Sequence, residues 1–202
     1  MTTQIATDTE LSAVNSILGS IGQAPITTLN FENPEVSLIY NILAEVTKDV
    51  LNEGWHFNTE HHVKVSPDAS GYITVPNNYL RYDLSDGQMS RTIDLVKRDG
   101  RLYDLVDHTD VFTHDMELDI VYLYSFVDIP SVFQRYIISR ASARAATQQV
   151  ANKELVALLQ SQEGVARASV MEYECNQGDH SFMGFPHNSS YNPYQPYKVL
   201  HR

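Results

Sequence analysis

The sequence has one cysteine, few basic residues and no long apolar run, and each shortage excludes a class of protein. Cys175 is the only cysteine among 202 residues, so the chain forms no internal disulfide and its folding does not require oxidation. Lysine and arginine total 14 against 25 aspartates and glutamates, a formal net charge of −11. Proteins that grip nucleic acid neutralise phosphates with basic residues, so this balance argues against specific DNA or RNA binding.

Signals for membrane insertion and secretion are missing too. No stretch approaches the length of apolar sequence that a membrane-spanning helix needs. The opening MTTQIATD does not combine a basic region with an apolar run. We therefore expect a protein made in a cytoplasm that does not insert into a membrane.

Familiar catalytic motifs are not found. The sequence contains no GxxxxGK[ST], GxGxxG, GxSxG or HExxH pattern. Cys175 follows Glu172 and Glu174, whose negative charges disfavour the thiolate that a nucleophilic cysteine requires. The sequence therefore predicts neither a catalytic residue nor a cofactor or metal site.

Apolar residues at helical spacing predict four helices. The first has Asp8 or Thr9 as its N-cap and Gly22 as its stop. The third begins at Ser131 and is dense in alanine and serine, residues that allow close approach of helices. The predicted spans are about 9–22, 35–53, 131–149 and 153–175.

Between the second and third helices the apolar period changes from 3.6 to 2, which predicts strands. Residues 55–65 alternate, and turn residues 67–71 lead to a returning strand at 72–75. Arg98 to Arg101 is typical of a hairpin turn. Residues 116–126 form the longest β-rich run.

The sequence thus predicts an α+β fold. Residues 1–54 and 128–176 form a discontinuous four-helix-type bundle, and residues 55–127 form a small antiparallel β domain inserted into it. Residues 177–202 form an extended C-terminal tail without apolar periodicity. Its aromatic residues predict docking onto a partner, with a frayed terminus as the alternative. These docking candidates are Phe182, Phe185, Tyr191, Tyr194 and Tyr197.

Two polar clusters in the β domain allow alternative readings. Strand alternation places His56, Glu60 and His62 on one face, where they either bind a metal ion or form a solvated surface. Residues 104–115 are rich in aspartate and histidine. Such a segment serves glycoside hydrolysis, binds calcium or is simply solvated, and the last is the commonest case.

Basic and small residues on the third helix are candidates for contacts between subunits. Arg140 and Arg144 share a helix face at i, i+4 spacing. They either pair with Glu163 or Glu172 of a neighbouring subunit or form a solvated basic face. Small side chains beside them complete the predicted interface, and these are Ser139 and Ala143.

Five segments resemble the tail tubular protein A family of T7-like short-tailed bacteriophages, and they span nearly the whole chain in order. They are TELSAVNSILGSIGQAPITTL (9–29), LNEGWHFNTE (51–60), RDGRLYDLVDHTDVF (98–112), DIPSVFQRYIISRASARA (128–145) and VMEYE (170–174). The Asn/Tyr/Pro-rich end after Gly184 departs most from the family pattern.

This resemblance implies a structural adaptor of the virion tail, assembled in the host cytoplasm. Members form a homo-oligomeric, twelvefold ring beneath the portal protein. The ring joins the portal to a tail nozzle protein of the tail tubular protein B type, and it anchors tail fibres. Genome DNA passes through its lumen without specific binding, and the helical domain forms the ring.

Two other functions fit the same residues less well. One is a virion-associated hydrolase acting on host surface polysaccharide through the acidic segment of the β domain. The other is an oligomeric binding module unrelated to phage.

Overall fold

The computed structural model describes residues 9–85 and 93–177, and within them the chain is a mixed α+β protein with four α-helices and two small antiparallel sheets. The α+β expectation is therefore confirmed. These residues separate into two compact units. Unit 1 contains the described chain up to Glu53 together with Tyr124–Glu174, and unit 2 contains Gly54–Leu123 together with the described chain from Cys175 onward.

The four helices lie close to their predicted spans. They are α1 (Glu10–Ser20), α2 (Pro34–Leu51), α3 (Ser131–Gln149) and α4 (Lys153–Gln177). Of the two predicted N-caps, Thr9 caps α1 by accepting the Ser12 amide at 3.3 Å. Asn33 caps α2 by accepting the Glu35 amide at 3.0 Å, with Pro34 in the first turn.

The core of unit 1 lies among α1, α2 and α3, which all pack on one another. Each contributes a stripe of fully buried apolar side chains, since their apolar residues recur at helical spacing. The largest of these are Val14, Ile17, Ile39, Val46, Val50, Leu51, Phe133, Tyr136 and Ile137. α4 differs, because only Leu159 and Val170 of its residues are buried.

The described residues of unit 2 form five strands in two sheets. They are β1 (Thr59–Val65), β2 (Tyr79–Leu84), β3 (Leu95–Arg98), β4 (Arg101–Asp104) and β5 (Met116–Tyr122). The three-stranded sheet has the order β1-β5-β2, and β3 pairs with β4 in a separate hairpin. Residues from both sheets and the loops between them form its core, including Ile73, Leu102, Phe112, Leu118 and Ile120.

The predicted hairpin at Arg98 to Arg101 is confirmed. Asp99 and Gly100 both have positive φ, at 51° and 78°. Two successive positive φ values define the type I′ turn, whose twist matches that of paired strands and which favours the sequence Asp-Gly.

Two β-strand expectations are wrong in detail. Residues His56–Asn58 form a 3-10 turn, because the Asn58 carboxamide accepts the Trp55 amide at 2.7 Å and holds the chain in a tight bend. Residues 72–75 do not return along β1. Ile73 and Val75 instead exchange backbone hydrogen bonds with the β3–β4 hairpin, through Leu102 and Gly100.

The strand predicted over residues 116–126 ends earlier, at Tyr122, and Phe126–Asp128 forms another 3-10 turn. Strand β2 was not predicted at all. The aromatic docking candidates Phe182 to Tyr197 lie outside the described residues. Within the described part of the chain, no helix is both long enough and apolar enough to cross a membrane.

A pair of glycine substitutions tests the packing of unit 2. Gly71 has φ of 85°, and a Cβ placed there would lie 2.7 Å from Cγ1 of Val111 and 3.3 Å from the carbonyl oxygen of Phe112. We expect Gly71→Ala to lower the free energy of unfolding by roughly 2–3 kcal/mol, from backbone strain plus steric conflict. Urea titration followed by fluorescence of Trp55, the only tryptophan, measures this change.

The matched control is Gly100→Ala. Gly100 has nearly the same φ, but nothing lies within 4 Å of an added Cβ. Strain alone should then cost about 1 kcal/mol. Equal losses for the two variants would contradict the packing described for Gly71.

Candidate interaction site on the helical unit

A group of charged and hydrogen-bonding side chains joins the end of α2 to α3 and α4. We call it the arginine cluster, and it consists of Glu53, Tyr136, Arg140, Glu163 and Arg167. Arg167 donates to both oxygens of the Glu53 carboxylate, at 3.3 and 3.1 Å. Arg140 donates to Glu53 at 3.3 Å and lies 3.9 Å from Glu163. One carboxylate therefore connects arginines of two helices.

Tyr136 is the buried centre of the arginine cluster. Its hydroxyl oxygen accepts from Arg167 at 2.8 Å and from Arg140 at 3.2 Å. The hydrogen bond to Glu53, followed by the one to Tyr136, raises the pKa of the Arg167 guanidinium above its ordinary value. Burial lowers the pKa of Arg140, but the contacts with Tyr136 and the two carboxylates outweigh it, so that pKa is raised as well.

Apolar contacts hold α4 to the rest of unit 1 on either side of the arginine cluster. Leu159 packs on Ala143 and Ala146, whose small side chains let the helices approach closely. Near the end of α4, the ring of Tyr173 meets Phe133 edge-on at 5.9 Å between centroids. These contacts leave most of α4 uncovered.

Three large apolar side chains on α4 are exposed to solvent. The exposed fractions are 59% for Leu158, 68% for Val165 and 45% for Met171. A 25-residue helix with two buried residues and three exposed apolar ones has little reason to be stable in water by its own burial. This surface therefore marks a candidate interaction site.

A groove runs between the first half of α3 and the middle of α4, with a cavity volume of about 490 Å³. We call it the α3–α4 groove. Its walls include small or apolar side chains and one cation: Val132, Arg135 and Ser139 on α3, and Ser161, Val165 and Ser169 on α4. Small side chains on both walls permit close approach of another backbone.

The predicted interface residues lie in different places. Ser139 lines the α3–α4 groove, whereas Ala143 is buried against Leu159. Arg140 and Glu163 contact each other within one chain. Glu172 is exposed on α4.

Arg144 has carboxylate partners in its own chain. It pairs with Glu45 at 3.1 Å and with Asp49 at 3.3 Å, both on α2. Both pairs are largely exposed, so they contribute little to stability. The intersubunit role of Arg140, Arg144, Glu163 and Glu172 stays a prediction.

Asp104, Asp110 and Asp115 of the acidic segment have structural partners. Asp104 is buried and accepts the amides of Asp94 and Val106, at 3.2 and 2.9 Å. Asp110 lies 3.7 Å from Arg101, and Asp115 pairs with Lys64 at 2.7 Å. These contacts fix loops and strand ends.

The predicted histidine face is interrupted by a bulge. The β1–β5 register shifts between Glu60 and Val63, and His62 has φ of 56°. His61 and His62 consequently face different carboxylates, those of Asp119 at 3.1 Å and Glu117 at 3.6 Å. Among the residues described, no three side chains of metal-ligand type come together.

Asp119 connects the bulge to the adjoining strand. It accepts from the Ser85 hydroxyl, the His62 amide and the His61 imidazole. Burial would raise the pKa of Asp119, but these three donors outweigh it and hold the pKa below its ordinary value.

Sequence reasoning missed three members of the arginine cluster: Glu53, Tyr136 and Arg167. Arg140 and Glu163 had been assigned to contacts between subunits. A local sequence pattern could not have linked Glu53 to Arg167, because the two residues are 114 positions apart. Arg135, a third basic residue near the start of the third helix, is exposed.

Comparison with known proteins gives a consistent result. A family model described as "Tail tubular protein" matches residues 11–180. The chain is also similar to tail tubular protein A of Klebsiella phage KP34, with 32% identity over 137 residues. That alignment covers 67% of this chain and 70% of the Klebsiella phage protein.

Removing Arg167 from the arginine cluster should loosen α4 without unfolding the α1–α3 core. We expect Arg167→Gln to raise amide hydrogen exchange in the second half of α4 roughly fivefold to tenfold. The loss of about 1–1.4 kcal/mol reflects charge-assisted hydrogen bonds that are partly screened by solvent. Exchange measured by mass spectrometry on α1, α2 and α3 should change little.

Arg144→Gln is the matched control, since it removes an arginine pair between α2 and α3 that does not involve α4. Faster exchange in α4 for this variant, or unchanged exchange for Arg167→Gln, would contradict the role assigned to the arginine cluster.

Asp119→Asn should alter the acid dependence of unit 2. A carboxyl whose pKa is lowered by folding stabilises the protein above its unfolded-state pKa and loses that contribution as pH falls through the folded value. We expect Asp119→Asn to cost about 1 kcal/mol at pH 7 and progressively less as the pH falls below about 4, with a clearly smaller penalty near about pH 3. Urea titrations followed by Trp55 fluorescence measure both values.

Asp99→Asn provides the comparison, because asparagine accepts the positive φ of the hairpin turn as well as aspartate does. If Asp119→Asn lowers the free energy of unfolding equally at both pH values, the carboxylate charge does not contribute to the stability of unit 2.

Proposed function

The chain belongs to the tail tubular protein family, structural components of bacteriophage tails, and from this we propose that it is a ring-forming adaptor. Copies of the chain, twelve by resemblance to T7-like phages, join the portal to the tail nozzle and leave a central channel for genome ejection. In this proposal it is a structural protein without catalytic activity, and unit 1 is the ring-forming part.

The observation that supports a ring is the exposure of α4. Its apolar side chains at Leu158, Val165 and Met171 lie in solvent in a single copy. Helices with little burial of their own are stabilised when another surface covers them. In a ring, every copy supplies that cover to its neighbour through one repeated contact. In this arrangement α4 joins α1, α2 and α3 as the fourth helix of a bundle.

The net charge supports a channel through which DNA passes without adhering. Each chain carries a formal charge of −11, and a ring repeats it in every copy. Acidic walls repel phosphates, so they favour passage over binding.

The other parts of the chain are proposed to meet the remaining tail components. Unit 2 presents a charged sheet surface, with Lys64–Asp115 and His62–Glu117 pairs, toward nozzle or fibre proteins. The aromatic residues between Phe182 and Tyr197 are proposed as docking points for the portal or the nozzle.

Electron microscopy and mass measurement of the purified chain test this function. We expect a ring of about twelve copies, either from the chain alone or after addition of the portal protein of the same phage. A chain that stays monomeric in both conditions would overturn the proposal. A truncation ending at Gln177 should remain folded but lose binding to the portal or nozzle, since it lacks the proposed docking residues.

The same preparation separates an adaptor from a hydrolase. Wild type, Asp107→Asn and Asp110→Asn are incubated with host surface polysaccharide, and released reducing ends are measured. Activity in the wild type that both substitutions abolish, with assembly intact, would favour the enzyme. We expect no activity in any of the three.

A further inference from the structure

The α3–α4 groove has one positive charge, that of Arg135. Arg140, Arg144 and Arg167 all pair with carboxylates of unit 1, whereas Arg135 forms no ion pair with any residue in the described ranges 9–85 and 93–177. The other groove residues are neutral, and Val165 beside it is 68% exposed. The groove therefore suits a partner that brings both apolar side chains and a carboxylate.

A surface with that chemistry exists on the same chain. The segment leading into α2 and the first turns of that helix have two exposed apolar side chains, Phe31 and Leu38, with exposed fractions of 54% and 41%. Glu32 and Glu35 are exposed beside them, and neither forms an ion pair in the part of the chain that the structure describes. We call these four residues the acidic–apolar patch.

The acidic–apolar patch is held in a defined conformation. The ring of Phe31 packs edge-on against Tyr40 at 5.0 Å between centroids, and the Tyr40 hydroxyl donates to Glu10 at 3.3 Å. Asn30 accepts the Glu32 amide, and Asn33 caps α2. The patch therefore loses little conformational entropy when a partner binds it.

One copy cannot place its own patch in its own groove. Arg140 meets Glu53, and Arg144, one turn further along α3, meets Asp49 and Glu45, which come earlier in α2. The two helices thus run antiparallel. The start of α2 lies at the opposite end of unit 1 from the start of α3, about 30 Å away at a rise of about 1.5 Å per residue.

We infer that the acidic–apolar patch of one copy docks into the α3–α4 groove of the next. Phe31 and Leu38 cover Val132 and Val165, and Glu35 or Glu32 pairs with Arg135. The two surfaces differ, so the contact is heterologous and repeats from copy to copy until it closes. This inference rests on the proposed ring and names the surfaces that build it.

Single substitutions on either surface should stop assembly. Val165→Asp and Leu38→Asp each place a charge on an exposed side chain, so both variants should fold, which circular dichroism checks. Each variant alone should remain a monomer of 22.9 kDa by mass photometry or light scattering, with or without portal. Val106→Asp, a comparably exposed apolar position (53%) in unit 2, should assemble as the wild type does.

Mixing the two variants gives the decisive result. The Val165→Asp copy keeps an intact patch and the Leu38→Asp copy keeps an intact groove, so one productive contact remains. An equimolar mixture should give dimers and nothing larger. A mixture that stays monomeric, or variants that form rings alone, would overturn the inference.

A charge exchange tests the ion pair separately. Arg135→Glu should weaken association about tenfold or more, since it places like charges together. Adding Glu35→Arg in the same chain should restore most of the lost affinity between copies. If the double variant still associates weakly, Glu35 is not the partner of Arg135. If wild type forms rings and all variants do too, only this inference fails. If wild type never assembles, the proposed function fails with it.

Discussion

The attachment of α4 to the rest of unit 1 is the interaction on which the candidate site depends. α4 buries too few apolar side chains to be held by packing alone. Glu53, at the end of α2, instead binds Arg167 of α4 and Arg140 of α3, and both arginines also donate to the buried hydroxyl of Tyr136. One wall of the α3–α4 groove is therefore positioned by polar contacts as well as by packing.

This arrangement suits a protein that becomes complete by assembly. A chain that buried every apolar side chain by itself would offer its neighbours only polar contacts. Here Leu158, Val165 and Met171 remain in solvent while α1, α2 and α3 form a closed core. The stable core preserves the shape of a single copy, and the exposed helix leaves apolar surface available for a partner. A structural tail component needs both properties.

The sequence predicted the helices well and the sheets less well, for a physical reason. Helical caps and periodicity are local, so Thr9 and Ser131 could mark the starts of α1 and α3. The Asp99-Gly100 turn was predictable for the same reason. The tight bend at Asn58 and the pairing of Ile73 with the hairpin depend on contacts with distant residues. Alternation of side chains alone contains no signal for either.

By itself, the sequence determined the mixed α+β class and the acidic balance, because these follow from local patterns and composition. The family came from the resemblance of five segments to known proteins. The tertiary structure alone decided which charges pair. Arg140 and Arg144, expected to be available to a neighbouring subunit, meet carboxylates of their own chain, whereas Arg135 has none among the residues described. The antiparallel packing of α2 on α3 brings Glu53 beside Arg140 and Arg167. Such distances are set by the fold, and separation along the chain does not reveal them.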